Sequence, residues 1–465
     1  MNLADILSNQ PAPHAIPDAR AQIRTKLLAS GKKLVVIDDD PTGMQTVQDV
    51  AVFMDWSVAT MRKALASPSP VFFVSVNSRS LNPAEASALA VEVGKNLREA
   101  TDAETADVLL ASRSDSTLRG HFPHEVDSLI SGFGMQPDGI ILAPAFLEAG
   151  RYTVDDVHWA DQGGQLVPVS DTEFARDPMF SFKNSNLKAW VEEKTGGTMM
   201  AADIISISLK LLREGGPEAV AAELQRASNG VPVIANAAVY DDLDIFSLAV
   251  DEAENNGKKF VYRCSASFLK SRGGFENRPL LTHDEMVSRQ GPGLIVVGSY
   301  VEKTSRQLQH LLEERLAEGI EVDVERLLDQ TVSQQEIEAV SEQVNANLHN
   351  GITSALYTSR QVRVSAASDF AETGKSIMSG MCKIIECIEV CPAYFVAKGG
   401  ITSIEVAKNA LSVQEALALG QILPGVPVWR LGAGAKWPGV TYVVFPGNVG
   451  DDTALMRAVS TLEGQ

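Results

Sequence analysis

Cysteine is scarce in this chain of 465 residues, with four in all: Cys264, Cys382, Cys387 and Cys391. So few thiols, with no signal-like start, fit a reducing compartment, and the expected location is cytoplasmic. The last three follow a Cys-x4-Cys-x3-Cys spacing without a paired CxxC or a nearby histidine. Free thiols on a helix and a following turn are therefore expected rather than a metal site. No apolar run approaches the ~20 residues of a membrane-spanning helix. Basic residues are in deficit, 40 Lys and Arg against 59 Asp and Glu, for a net charge of −19. That excess argues against a nucleic-acid partner, which would need a basic face. It leaves room for an anionic small molecule, because a few arginines can dominate one cleft. Two nucleotide signatures are also missing. No Gly-x4-Gly-Lys-Ser/Thr run occurs, and no Gly-x-Gly-x-x-Gly fingerprint opens either half. With no clear catalytic histidine either, a dehydrogenase is disfavoured, and surface or packing roles are expected for His121, His124 and His158, with substrate contact the alternative for His158.

What is present is an ordinary globular composition, 45% hydrophobic and 21% charged. The length exceeds what one core holds, so two or three domains are expected. No internal repeat or low-complexity tract stands out. The most telling stretch is Leu34-Val35-Val36-Ile37-Asp38-Asp39-Asp40-Pro41-Thr42-Gly43. A short β-branched run reads as a buried parallel strand, and Pro41 and Gly43 end it. Three adjacent carboxylates repel one another unless a cation or donor sits among them. Further strands are predicted at Val71–Val76, Val108–Ser112 and Gly139–Pro144, with an alanine-rich helix over Pro83–Arg98. The alternation predicts an α/β fold with a doubly wound parallel sheet, whose ligands bind beyond the carboxyl ends of the strands. Strand, helix and strand continue over Ile204–Tyr240, and Phe260–Arg263 is another strand. The Gly- and Pro-rich segment Ser271–Pro292 reads as a crossing between domains. A second α/β unit opens at Leu294, with polar helices over Glu302–Glu318 and Ser333–Leu348 and strands near Ala355, Tyr394 and Thr441.

Three strand ends of the first half carry chemistry-bearing residues. They supply Asp39 and Asp40, then Arg79, then Arg113, Asp115, Ser116, Thr117 and Arg119. Arginine forks grip carboxylate or phosphate, and a neighbouring carboxylate can take the proton of a substrate hydroxyl. Ser116 and Thr117 read equally as caps of the next helix. Gly120 would let backbone approach a ligand closely. In the second half, Gly298-Ser299, Gly399-Gly400-Ile401-Thr402-Ser403 and Gly447-Asn448-Val449-Gly450 follow strands. Such turns can offer backbone N–H groups to a phosphate, although tight βα turns use glycine anyway. Lys398 would add a charge there or sit in solvent.

These motifs resemble the four-carbon acid sugar kinase family. The resemblance rests on Asp39-Asp40-Pro41-Thr42-Gly43, Ser78-Arg79-Ser80 and Arg113-Ser114-Asp115-Ser116-Thr117-Leu118-Arg119-Gly120. It extends to Pro144-Ala145-Phe146 through Gly150-Arg151, to Val154–His158, and to the three glycine turns. It implies two three-layer α/β/α domains with mostly parallel sheets and an active-site cleft between them. Residues 1–30 read as an N-terminal extension, and by the resemblance 31–285 form an acid-sugar-binding domain and 286–465 a nucleotide-binding domain. The implied reaction is Mg2+- and ATP-dependent phosphorylation of a hydroxyl of threonate, erythronate or a 3-oxo-tetronate. Substrate contacts would fall on Asp39, Arg79, Arg113, Asp115 and Ser116, with Asp40, Thr117 and Arg119 beside them. Asp39 or Asp115 would serve as catalytic base. ATP contacts would fall on Ser299, Gly399, Gly400, Ile401, Thr402 and Gly447. Magnesium ligands are not assigned. The chain departs from the family pattern at Asp38, where alanine is common, at Arg113, which replaces a lysine, and at Ile401, where an acid is common. Expected partners are the sugar acid and ATP, with no nucleic acid and no membrane, and a homodimer is the default assembly. The rival reading is a non-catalytic sensor of small organic acids, which has no need of three glycine turns.

Overall fold

The computed structural model describes residues 1–40, 42–299, 301–359 and 367–465, with backbone alone over 367–372. Pro41, read above as a strand breaker, lies outside the described residues. The chain divides into two compact units, Met1–Asn277 and Arg278–Gln465.

The first unit is built on strands β1 (Lys33–Asp38), β2 (Val50–Phe53), β3 (Val71–Ser75), β4 (Val108–Arg113) and β5 (Gly139–Ala143). Next come β6 (Arg151–Val154), β7 (Val157–Gln162), β8 (Gln165–Pro168), β9 (Ile205–Ile207), β10 (Val231–Ala235) and β11 (Phe260–Cys264). The main sheet runs β2-β3-β1-β4-β11-β5-β10-β9, and every neighbouring pair is parallel. A central parallel strand is covered on both faces, so its side chains are apolar without alternation. Leu34, Val35 and Val36 of β1 are accordingly inaccessible to solvent. Because β3 and β4 lie on opposite sides of β1, the strand order reverses there. Such a switch point opens a crevice beyond the carboxyl ends of the strands. After β5 the chain makes an excursion that sequence periodicity did not announce, the antiparallel sheet β6-β7-β8.

Two helices on this sheet cross at glycines. Gly94, in the helix Pro83–Glu104, and Gly132, in the helix His124–Phe133, leave no room for a side chain. A Cβ on Gly132 would stand 2.4 Å from the Val91 carbonyl oxygen, and one on Gly94 would stand 2.6 Å from that of Leu129. The first 30 residues are part of this unit. Their helix Ala19–Ser30 is tied down where Arg20 Nε donates to both oxygens of Asp244 at 3.1 Å.

The second unit holds β12 (Leu294–Val297), β13 (Glu318–Val322), β14 (Ser354–Thr358), β15 (Tyr394–Lys398), β16 (Glu415–Leu423), β17 (Val426–Leu431) and β18 (Thr441–Phe445). Their order is β13-β14-β12-β15-β18-β17-β16. The pairs are parallel as far as β18 and antiparallel beyond it. One sequence expectation needs correction here. The helix expected over Glu302–Glu318 ends at Glu313, and Glu318 instead opens β13. Arg315 takes a left-handed φ of 55°, which stops the helix. Ile320 and Val322 then alternate with exposed polar residues, so an edge strand reads as polar as the helix before it. Cys382 and Cys387 lie on the helix Ala367–Cys387 and Cys391 follows it, while Cys264 ends β11, and all four are free. Among the described residues, no helix is long and apolar enough to cross a membrane.

Candidate active site

The carboxyl ends of β1, β3 and β4 bring Asp38, Asp39, Asp40, Arg79, Arg113 and Asp115 together as an interlocked lattice of acids and arginines. Arg79 donates Nε to Asp39 Oδ2 at 3.0 Å, Nη2 to Asp39 Oδ1 at 2.5 Å, and Nη1 to Asp40 Oδ2 at 3.1 Å. Arg113 Nη1 reaches Asp38 Oδ1 at 3.3 Å and Asp39 Oδ1 at 3.4 Å. The main chain sets this register, since Asp39 N–H donates to the Arg113 carbonyl and Arg79 N–H to the Asp39 carbonyl. Burial pushes the Asp40 carboxyl up, but Arg79, Arg113 and Thr42 outweigh it and hold it below its ordinary value. Asp115 behaves likewise: burial is overcome by Arg79 and Arg119, with Thr117 helping, and its carboxyl lies far below the carboxylate range. Arg119 Nε donates to Asp115 Oδ2 at 2.7 Å, and the Thr117 hydroxyl donates to the same oxygen.

Asp38 is the exception. Its side chain is inaccessible, and Oδ2 has no hydrogen-bond partner among the described residues. Burial raises it to about 8 against the pull of Arg113, and Asp39 and Asp40 raise it further. The carboxyl lies directly over Gly43, where a Cβ would stand 1.9 Å from Oδ2. An acid whose folded pKa lies above its unfolded one contributes stability at low pH that is lost as pH rises toward the folded value. The Asp38 contribution to native stability should therefore decline from about pH 4 to about pH 8, by up to about 1.4 kcal/mol per pH unit. Asp38→Asn, which mimics the neutral acid, should flatten that decline. Denaturant titrations across this range check it, and parallel slopes in the two proteins would refute the assignment.

The sequence reading missed Arg263 and Glu125, and its alternative reading of Ser116 and Thr117 as helix caps is corrected here. Arg263 is buried near the end of β11, with its guanidinium carbon 5.1 Å from the Trp190 ring centroid and 5.4 Å from that of Phe122. Gly120, at φ 122°, is where Asp39 and Arg263 meet: a Cβ there would stand 3.5 Å from Asp39 Oδ2 and 4.0 Å from Arg263 Nη2. Glu125 is buried beneath Ser78, whose hydroxyl donates to it. Burial and the Asp39 charge raise it to about 7, against Ser78. A lone arginine in a strand and a glutamate in a helix carry no local signal. Ser116 and Thr117 do not cap the next helix, which begins at His124 after Pro123. Thr117 serves Asp115 instead, and the Ser116 carbonyl accepts from His158 Nε2 at 2.6 Å. His158 is fully buried, its Nδ1 accepts from the Thr153 hydroxyl at 2.9 Å, and burial lowers it to about 4. It is a neutral brace that fixes the Asp115 turn to the small antiparallel sheet.

In the second unit the turns after β12, β15 and β18 converge on Ser299 and Thr402. A Cβ on Gly399 (φ 121°) would stand 2.9 Å from Thr402 Oγ1 and 3.2 Å from Ser299 Cβ, and one on Gly447 would stand 3.4 Å from Ser299 Oγ. Gly400 faces open space, and Ile401 is 65% exposed. Side chains hold the carbonyls of the Pro446–Gly450 turn from behind. Lys398 Nζ donates to Pro446 O at 2.7 Å and to Gly447 O at 3.2 Å. Thr304 donates to Gly447 O, Lys303 to Asn448 O and Gln307 to Val449 O. A trans peptide points its N–H opposite its carbonyl. The N–H groups of Gly447, Asn448 and Gly450 therefore point away from those supporting side chains. Lys398 corrects the solvated reading, since it is inaccessible to solvent. Among the described residues, no cluster of His, Cys, Asp or Glu is placed to hold a metal. Asp39, Asp40 and Asp115 are committed to arginines, so magnesium would be held chiefly through nucleotide phosphates and water.

Comparison with known proteins agrees with this division of labour. Residues 34–272 match a family described as a sugar-binding N-terminal domain, and residues 294–455 match a nucleotide-binding C-terminal domain. The chain belongs to the four-carbon acid sugar kinase family. It is 28% identical over 334 residues to D-threonate kinase of Salmonella typhimurium strain LT2, covering 71% of this chain and 72% of that one. It is 26% identical over 328 residues to D-erythronate kinase of Heliobacterium modesticaldum, covering 67% of each. Two crystal structures share the fold. One, from Salmonella typhimurium LT2, has a TM-score of 0.68 at 16% identity and covers 92% of this chain and 98% of its own. The other, Haemophilus influenzae protein HI1011, has a TM-score of 0.64 at 18% identity and covers 92% and 100%.

Proposed function

We propose that this chain is an ATP-dependent kinase that transfers the γ-phosphoryl group to a hydroxyl of a four-carbon sugar acid of the threonate, erythronate or 3-oxo-tetronate type. The observation that carries the reading is the acid–arginine lattice at the switch point of the first unit, in a chain whose second unit carries a glycine turn, Pro446–Gly450, with its carbonyls held by side chains. Phosphoryl transfer asks a protein mainly for positioning and charge neutralisation, and both are built in here. Asp115 is held ionised, so it orients the substrate hydroxyl as an acceptor and is a weak base. Asp39, gripped by Arg79, is the second acceptor. Arg79 and Arg113 retain donor hydrogens beyond those spent on the aspartates and would meet the substrate carboxylate. Ser116 and Arg119 complete this side. Ser299, Gly399, Gly400, Ile401, Thr402 and Gly447 would hold the nucleotide, and magnesium bound with it would neutralise phosphate charge.

The test is ADP release with Mg2+-ATP against D- and L-threonate, D- and L-erythronate and the 3-oxo-tetronates. Turnover with one of them is expected. Nucleotide binding without turnover would move the substrate outside this panel. Neither binding nor turnover would leave a non-catalytic acid-binding protein as the better reading.

A further inference from the structure

Lys398 is the last residue of β15, and its ammonium is sealed beneath the Pro446–Gly450 turn. It touches the carbonyls of Pro446 and Gly447, and the Phe445 ring centroid lies 4.0 Å from Nζ. Among the described residues, the charged group that acts on it is another lysine, Lys303, which holds Asn448 O at 3.4 Å from the helix Glu302–Glu313. No titratable side chain of β12 or β18, its two neighbouring strands, faces it as a counter-charge. Two carbonyls accept two of the N–H groups, and the third proton of an ammonium would meet the Phe445 ring face, which attracts a cation but is no counter-charge. Buried lysines are ordinarily paired or hydrogen-bonded throughout, because an unpaired buried charge is costly. This one is placed behind the Pro446–Gly450 turn with no anion of its own among the described residues.

We propose that Lys398 couples nucleotide binding to proton uptake: phosphates seated on the outer face of the Pro446–Gly450 turn draw a proton from solvent onto Nζ behind it. The inference rests on the nucleotide reading of the second unit. Burial, helped by Lys303, lowers the resting amine to about 7, so near neutrality a single proton is in play. A polyanion across one peptide layer favours the charged form and raises that value. By linkage, nucleotide affinity then falls as pH rises past the resting value.

The experiment is calorimetric titration of the full chain with ADP and excess Mg2+ at about pH 8, where the ADP phosphates are ionised. It is repeated in two buffers of different ionisation heat. The expected result is a buffer-dependent heat equal to a fraction of one proton taken up per ADP bound. ADP affinity should also weaken by up to about tenfold from about pH 7 to about pH 8.5. Lys398→Arg, charged throughout, and Lys398→Met, never charged, should both lose the buffer dependence and the pH slope. Binding of ADP with the same heat in both buffers would overturn the proposal and leave the nucleotide reading intact. So would proton uptake that persists in both variants. Absence of ADP binding by the native chain at every pH would remove the nucleotide reading and the proposal together. The native chain decides by itself if a variant fails to fold.

Discussion

Asp115→Asn should lower turnover by about 10²–10⁴-fold while leaving ADP affinity within about threefold of native. The Asp115 carboxylate is held by Arg119 and Thr117, and its turn is braced by His158 from the small sheet. Asparagine keeps the shape and removes the charge that would accept the substrate hydroxyl. It also presents an amide N–H where a donor is already aimed. The turns proposed to hold the nucleotide belong to a different compact unit, so ADP affinity serves as the internal control. The measurement is steady-state ADP release with the responding acid, paired with ADP calorimetry. Unchanged turnover would remove Asp115 from the mechanism. Loss of ADP binding along with turnover would indicate general unfolding, which a thermal melt identifies.

The largest stability effect is expected from Gly132→Ala, about 2–3 kcal/mol of destabilisation. On an open helix the same change would stabilise by about 0.5–1 kcal/mol, because alanine has the better helix propensity. The sign therefore reports the crossing itself. The added Cβ would meet the Val91 carbonyl oxygen at 2.4 Å, and backbone cannot swing aside as a flexible side chain does. Ser131→Ala, one position earlier and exposed, should change stability by less than about 0.5 kcal/mol. Urea unfolding of the three proteins settles the matter, and a Gly132→Ala protein as stable as native would show that the helices do not touch there.

The strands that position the acid–arginine lattice were legible because buried parallel strands leave short β-branched runs ended by polar turns. Asp39, Arg79, Arg113 and Asp115 were legible for the same reason, each lying at or just beyond such a strand end. Arg263 was not, because nothing local separates a strand arginine buried beside aromatic rings from one aimed at solvent. Lys398 was misjudged on the same ground. Its burial comes from Phe445 and the Pro446–Gly450 turn, almost fifty residues away in sequence. The strand Glu318–Val322 escaped because only two of its five residues are buried, and it continues the polar character of the preceding helix.

By itself the sequence determined the α/β alternation, the strand ends that carry chemistry and the kinship with sugar-acid kinases, all of which are written in contiguous segments. Tertiary structure alone decided which arginine grips which aspartate, that Asp38 is buried as an acid while Asp115 stays ionised, and that Lys398 stands behind a turn without a counter-ion among the described residues. Charge state depends on burial and on partners contributed by distant strands. Desolvation and Coulomb interaction are set by distance in space, which spacing along the chain does not reveal.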